Sequence, residues 1–288
     1  MAEKEGLLEV EKWLRKEERQ LPKGKKRIKD FRDRKTELYV LDVPTLEILY
    51  KFSKKGIIKA LGGPISSGKE AVIFHAIGAE EEELAIKMYK ISTSNFRAML
   101  DYIIGDPRFE NIKRDRRSVV FAWARKEFKN LKRAFDVGVK VPRPIAYDKN
   151  VLIMEFIGKE GIAAPRLRDV PVEVLELDFD LDELFRRIVS YMKIMYDKGR
   201  MVHADLSEFN ILMKGYAESE VAGVNAAEGE GEIEIEIEPV IIDMGQSLLL
   251  EHPNADAFLN RDVRNIVTFF NKLGLDCSAN EVMKIIKK

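Results

Sequence analysis

Between Ile57 and Phe156 apolar and polar residues alternate in short runs, and beyond Leu181 apolar residues recur three and four positions apart. The first pattern predicts strands and the second predicts helices. Val43 to Tyr50 reads as a capped helix ahead of the strands. Ile57–Ile65 and Ala71–Ile77 read as the two arms of a hairpin, with Ser66-Ser67-Gly68-Lys69-Glu70 as a small polar turn between them. Leu84–Tyr89 is a third strand, after an acidic turn at Glu80–Glu83. Ser118–Phe135 carries Val119, Val120, Trp123, Phe128 and Leu131 as an apolar stripe, so a long helix is expected there. Ile145–Tyr147 and Val151–Phe156 are two more strands, and Gly158 reads as a hinge.

After the hinge, Leu181–Lys198 is a helix with Leu184, Ile188, Tyr191, Met192 and Met195 on one face, ending on Gly199 as a C-cap. Ile211–Met213 is a short strand. The stretch 214–238 interrupts the pattern: from Gly215 to Glu238 it holds eight Glu and no Lys or Arg. Glu232–Ile237 alternates strictly, as an exposed strand would, and should pair with Ile211–Met213 or run on into Val240–Ile242. Helices at Asp262–Phe270 and Ala279–Ile286 close the chain. The expected divisions are an N-terminal helical and basic extension (1–56), a strand-rich lobe (57–157) and a helical lobe (158–288) with the acidic insert 214–238.

Composition narrows the classes. The 288 residues include 49 Lys+Arg and 49 Asp+Glu, so no global field selects a partner. The charge is local: residues 21–35 hold eight Lys/Arg against two Asp, which suits either a solvated tail or contact with RNA phosphates. A single cysteine, Cys277, excludes an internal disulfide and a cysteine metal site. The amphipathic start lacks an apolar signal core, and no run approaches about 18 apolar residues, so a cytoplasmic protein without a membrane span is expected. The polar, basic stretch 91–117 is expected to be mobile in part.

The candidate chemistry lies in His203-Ala204-Asp205-Leu206-Ser207-Glu208-Phe209-Asn210, an H-x-D-x-x-x-x-N spacing. Phosphoryl transfer needs a carboxylate to orient the acceptor and, a few residues on, an amide oxygen that can reach a nucleotide-bound metal. Ile241-Ile242-Asp243-Met244-Gly245 ends an apolar strand in Asp-x-Gly, the usual second metal ligand. Lys87, inside Ala85-Ile86-Lys87-Met88, reads either as a surface lysine on an edge strand or as the phosphate anchor. Glu127 on the long helix is its natural partner, or else an exposed helix charge. Ser66, Ser67, Gly68 and Lys69 are small enough at the hairpin tip to let phosphates approach, although a plain glycine turn has the same look. Backbone groups from Glu155 to Ile157 are placed to meet an adenine edge. The acidic insert reads as solubilising structure, not as a metal site.

These motifs together resemble the RIO family of atypical serine protein kinases: Ser66–Ala71, Ala85–Lys87, Glu127-Phe128, Met154–Phe156, His203–Asn210 and Ile242–Gly245. Ser92–Phe96 with Tyr102–Phe109 is similar to the type-one subfamily, and the segment ahead of Ile57 looks too short for the winged helix of type two. The resemblance implies an α+β, two-lobed protein-kinase-like fold: a twisted antiparallel sheet plus one long helix in the N-lobe, and a truncated, mainly helical C-lobe without an activation loop. Met244 stands where ordinary kinases have Phe, and Ala204 where they have the Arg that clamps a phosphorylated activation loop.

Size and charge density point to an archaeal member. The resemblance also implies that it binds ATP with Mg²⁺ or Mn²⁺ and acts on the small ribosomal subunit precursor, meeting its rRNA and proteins. On this reading Asp205 orients the acceptor and Asn210 and Asp243 hold the metal. Lys87, fixed by Glu127, holds the α- and β-phosphates under Ser66–Lys69. Water as acceptor makes the same site an ATPase. A small-molecule phosphotransferase, which shares H-x-D-x-x-x-x-N, and a non-catalytic RNA-binding scaffold are the competing readings.

Overall fold

The structure is a computed structural model that describes residues 42–92, 95–178, 180–216 and 237–288. The expectations for residues 1–41, for Thr93 and Ser94, and for an exposed strand over Glu232–Glu236 fall outside those residues. The described chain divides into two compact units. One comprises its residues up to Leu100 with Ile112–Arg125 and Pro144–Phe156; the other comprises Asp101–Asn111, Lys126–Arg143 and Ile157–Lys288.

The first unit is built on a five-stranded antiparallel sheet. Its strands are β1 (Ile58–Ser67), β2 (Ala71–Gly78), β3 (Glu83–Tyr89), β4 (Pro144–Asp148) and β5 (Val151–Glu155), in the order β1-β2-β3-β5-β4. Period-two alternation decides its two faces. Val72, Phe74 and Ala76, Leu84, Ile86 and Met88, and Val151 and Ile153 point to one side. That side is covered by Ile48, Leu49 and Phe52 of α1 (Val43–Lys54). Burying each of the Val, Leu, Ile, Phe and Met side chains among them stabilises by about 1.5–3 kcal/mol. Helix α1 starts where the sequence indicates, with the Asp42 carboxylate accepting from the Thr45 N–H at 2.9 Å. Asn150 ties the strands to it, its amide donating to Thr45 Oγ1 at 3.0 Å and to the Tyr89 carbonyl at 3.1 Å.

Strand β1 runs on through Ser66 and Ser67, which pair with Ile73 and Val72, so the turn is only Gly68 to Glu70. The serines were expected in the turn. The hairpin ladder reaches them because their hydroxyls can point to solvent from an extended backbone. The Gly62 backbone lies so close to His75 that a Cβ there would fall 3.0 Å from the His75 carbonyl oxygen, which explains a glycine inside a strand.

A helix missed in the polar stretch, α2 (Phe96–Ile103), is strongly amphipathic and buries Met99 and Ile103. Its charges hide the apolar stripe from a composition-based reading. The long helix, α3 (Arg116–Asp136), begins two residues earlier than expected because Asp115 caps it, accepting from the Ser118 N–H at 2.9 Å.

In the second unit β6 (Gly158–Lys159) and β7 (Ile162–Ala163) form a small hairpin, followed by α4 (Val172–Asp178) and α5 (Leu181–Asp197). After α5 the left-handed residue is Arg200 (φ 49°) and not Gly199. Gly199 is required for space instead: a Cβ would sit 2.7 Å from the Met195 carbonyl oxygen. Then come β8 (Met201–Val202), β9 (Ile211–Lys214), β10 (Glu238–Ile241), β11 (Leu248–Leu249), α6 (Ala255–Lys272) and α7 (Ala279–Lys287). Strands β9 and β10 pair antiparallel, as do β8 and β11. Only Gln246–Asn254 separate the Asp-x-Gly motif from α6, and β11 occupies part of that link. The architecture is α+β with an antiparallel N-terminal sheet and a mainly helical C-terminal part.

Candidate active site

The ladder between β9 and β10 brings the two metal-ligand candidates to one end of a two-stranded sheet. Ile211 pairs with Ile241, so Asn210 just before β9 and Asp243 just after β10 leave from the same end. The Ile242 N–H donates to the Asn210 carbonyl at 3.0 Å and secures that meeting. The Asn210 side-chain amide donates to the Asp205 carbonyl at 2.8 Å and approaches Asp205 Oδ2 at 3.4 Å. Its nitrogen is thereby committed to the loop, which leaves Oδ1 as the side chain's acceptor atom. Asp243 is exposed and sits at φ 63°, a left-handed conformation that Asp tolerates better than most residues.

The Asp205 loop is braced from three sides. His203 is buried. One ring nitrogen meets the Ile242 carbonyl at 3.0 Å and the other accepts from the Asp205 N–H at 3.2 Å. Burial lowers its pKa to about 4, so the ring is neutral at pH 7, with Nε2–H as the donor to Ile242. Ala204 is held at φ 67°, which costs a residue with a Cβ about 1–2 kcal/mol. Asp262 of α6 offsets that strain. Its carboxylate accepts the Ala204 N–H at 2.7 Å and the Leu206 N–H at 2.9 Å. Burial pushes Asp262 up to about 7, against the opposing pull of those two N–H groups. Gln246 completes the set, donating to Asp205 Oδ2 at 3.2 Å.

The Asp243-Met244-Gly245 turn is held by the buried second half of α3. Lys126 donates to the Gly245 carbonyl at 2.8 Å and to the Ser247 carbonyl at 2.5 Å. Asn130 donates to the Met244 carbonyl at 2.8 Å. Burial first, and then the charge of Arg108, lowers the Lys126 pKa to about 7. None of Asp262, Gln246, Lys126 and Asn130 was singled out from the sequence. The one available signal was a polar residue on an apolar helical stripe, which is clearest for Asp262 between Leu259 and Val263.

The first unit carries the other candidates. Lys87 lies on the central strand, paired with Ile73 on one side and Leu152 on the other, and is only 8% exposed. The edge-strand reading therefore falls. Its ammonium sits 5.3 Å from the centre of the Tyr89 ring, on the sheet face opposite the Phe74 and Ile86 core. Ser66, Ser67, Gly68 and Lys69 are all exposed at the hairpin tip. The Gly68 N–H closes the turn onto the Ala71 carbonyl at 2.9 Å, and its own carbonyl accepts from Lys90 Nζ at 2.6 Å. Gly68 thus offers access to the tip without a spare N–H donor.

Glu127 is buried on α3, so the exposed-helix-charge reading falls too. Lys87 and Glu127 belong to different compact units. Of the strand-end residues, Glu155 pairs with Leu84, the Phe156 N–H donates to the Glu83 carbonyl at 3.1 Å, and the Ile157 carbonyl accepts from Ala164 at 3.0 Å.

The donor set fits a nucleotide-bound divalent ion. Among the described residues no group of three or more His, Cys, Asp or Glu could hold a metal by itself. One carboxylate plus one amide oxygen is the partial set that suits Mg²⁺, which takes its remaining ligands from phosphates and water.

The chain matches the RIO domain over residues 72–219 and 233–283. The chain belongs to the RIO family. It is 39% identical to the RIO-type serine/threonine-protein kinase Rio1 of Haloferax volcanii, over 96% of this chain and 86% of that one. It is 37% identical to Rio1 of Methanocaldococcus jannaschii, over 90% and 79%. Against human RIO1 it is 39% identical over 85% of its own length but spans only 39% of that protein. A crystal structure of the Rio2 kinase from Chaetomium thermophilum, in a complex named for ADP/Mg²⁺ and phosphoaspartate, shares the fold with a TM-score of 0.57. The two are 22% identical, over 83% of this chain and 65% of that one. This RIO chain is a serine/threonine-protein kinase of the atypical class. Among the described residues no helix is long and apolar enough to cross a membrane.

Proposed function

We propose that this RIO kinase transfers the γ-phosphate of ATP, with Mg²⁺ or Mn²⁺, to a serine or threonine hydroxyl or to water, during maturation of the small ribosomal subunit. The observation that carries the reading is the clamp between Asn210 and Asp205, set beside Asp243 by the β9–β10 ladder.

Asp205 receives the acceptor's O–H and orients its oxygen for in-line attack. As the new P–O bond forms and ADP departs, the hydroxyl proton passes to the Asp205 carboxylate. Gln246 and the Asn210 amide fix the rotamer of that carboxylate. Asn210 Oδ1 and the Asp243 carboxylate hold the ion. When bound, the ion neutralises charge on the transferring phosphoryl oxygens. Lys87 holds the α- and β-phosphates, with buried Glu127 as its counter-charge. Ser66, Ser67 and Lys69 cover the phosphates, and Gly68 keeps the tip low. The Ile157 N–H and the Glu155 backbone meet the adenine edge.

Residues 57–157 and 158–288 act as the two lobes, with 1–56 as an extension and 214–238 as an insert. The partners are ATP and the small ribosomal subunit precursor, its rRNA and proteins, in the cytoplasm. Support for the ribosomal part is the basic stretch 21–35, which suits RNA phosphates. The test is to incubate the chain with γ-labelled ATP and Mg²⁺, with and without small-subunit particles, and to score free phosphate, phosphoprotein and particle binding together. Label transfer that Asp205→Asn abolishes supports the reading. Salt-sensitive RNA binding without any turnover contradicts it.

A further inference from the structure

Phe209 is a large aromatic residue that the chain leaves 48% exposed inside the catalytic stretch, immediately before Asn210 and four residues after Asp205. Two guanidinium groups flank its ring. Arg166 lies 6.0 Å and Arg168 5.9 Å from the ring centre. The arginines are not on a loose loop. Leu167 between them is fully buried, the Met213 N–H donates to the Pro165 carbonyl at 2.8 Å, and Arg166 bridges Leu212 of β9. The strand that follows Asn210 therefore sets both arginines against Phe209. Arg166 is partly neutralised by Asp169 at 2.7 Å. Arg168 is exposed and has no carboxylate partner among the described residues.

We propose that Phe209, Arg166 and Arg168 form the surface that docks the acceptor, and that they select a protein segment with acidic residues around the target hydroxyl. This rests on the reading of Asp205 as the group that orients the acceptor. An acceptor hydroxyl bound at Asp205 must bring its neighbouring residues past Phe209, because only Leu206–Glu208 intervene in the chain and Phe209 is the one exposed residue from Leu206 to Asn210. The ring offers apolar contact to the passing backbone. Its two cationic flanks favour carboxylates and oppose lysine or arginine at the same positions. An exposed guanidinium beside an exposed ring is otherwise a poor use of a surface, since an exposed cation–π pair contributes little by itself. The arrangement also separates the two acceptors the site could serve. Water needs no docking surface, whereas a peptide does.

The experiment uses the full chain, γ-labelled ATP, Mg²⁺ and two synthetic peptides, Glu-Glu-Glu-Ser-Glu-Glu and Lys-Lys-Lys-Ser-Lys-Lys. The wild-type chain is expected to favour the acidic peptide in kcat/KM by about tenfold or more, the scale on which local charge concentrates a ligand. Arg168→Glu, the change least able to disturb folding, should cut that preference by about tenfold and act mainly through KM. Arg166→Glu/Arg168→Glu should reverse it, and Phe209→Leu should raise KM for both peptides. With the acidic peptide, the ratio of peptide phosphorylation to free phosphate release should fall in all three variants.

Equal use of both peptides by the wild-type chain overturns the proposal. So does a preference that survives Arg168→Glu, or ATP hydrolysis without phosphorylation of either peptide. If Arg168→Glu instead weakens binding of a ribosomal RNA fragment and leaves peptide preference intact, the surface is an RNA face and the proposal fails. Failure of the wild-type chain to release or transfer label at all would strike the phosphoryl-transfer reading itself, a different result from each of these.

Discussion

Lys126 donates its ammonium to the carbonyl oxygen of Gly245 at 2.8 Å, joining residues 119 positions apart in the chain. Its second bond, to the Ser247 carbonyl, makes it a two-point clamp on the turn that carries Asp243. A buried lysine is costly, and this one is placed where a turn of irregular backbone has carbonyls with no strand to satisfy them.

Lys126→Met keeps the length of the stem and removes both donors. The turn then loses its fixed geometry and Asp243 its aim. A fall in kcat of about tenfold or more is expected, equivalent to about 1.4 kcal/mol of lost positioning. Because the lysine pKa is lowered from 10.5 to about 7, the unfolded chain binds more protons than the folded one between those values. Lys126 therefore adds a gain in stability as pH rises from about 7 towards 10.5. Chemical denaturation at several pH values should show that gain in the wild type and not in Lys126→Met.

Asp262 gives the opposite slope. Its pKa is raised from 3.8 to about 7, so the folded chain holds the extra proton in that interval and stability falls as pH rises through it. The slope is at most about 1.4 kcal/mol per pH unit. Asp262→Asn should flatten the curve. It also replaces one acceptor of the Ala204 and Leu206 N–H groups with a donor, so a loss of about 1–3 kcal/mol is expected at pH 5. Urea denaturation of both proteins from pH 4 to 8 measures the two effects together.

Lys87→Ala removes the one cation on the inner strand. A charge-assisted bond to phosphate contributes about 1.5–3 kcal/mol, so ATP affinity should drop by roughly ten- to hundredfold. Calorimetric titration with ATP and Mg²⁺ reads this directly, and wild-type affinity in the variant would refute the assignment of Lys87. Melting temperature should change little, because the Phe74 and Ile86 core lies on the other face of the sheet.

The sequence was informative where a pattern is local. Alternation in Val72–Ala76 and Leu84–Met88 marked the sheet, and the spacing from Asp205 to Asn210 marked the loop that the amide of Asn210 now closes. It was less informative where partners are distant. Lys126 looks like one more charge among Arg125, Glu127 and Lys129, and only the fold shows that it is buried against Gly245. Gln246 carries no motif, and its bond to Asp205 exists because β10 and β9 pair across the acidic insert. Helix α2 was lost because its arginine and aspartate lie among the apolar positions that bury Met99 and Ile103. Ser66 and Ser67 were misassigned to the turn because small polar residues mark turns more often than strand ends.

The central claim is that Asp243, brought to the Asn210 end of the β9–β10 ladder, holds the ion that phosphoryl transfer requires. The most direct measurement is the rate of γ-phosphate release from ATP as a function of Mg²⁺ concentration, for the wild-type chain and for Asp243→Ala. The account predicts a saturable Mg²⁺ dependence in the wild type and a rate lower by about two orders of magnitude in the variant, about 2.7 kcal/mol of lost stabilisation. Turnover by Asp243→Ala at the wild-type rate at low Mg²⁺ would contradict it.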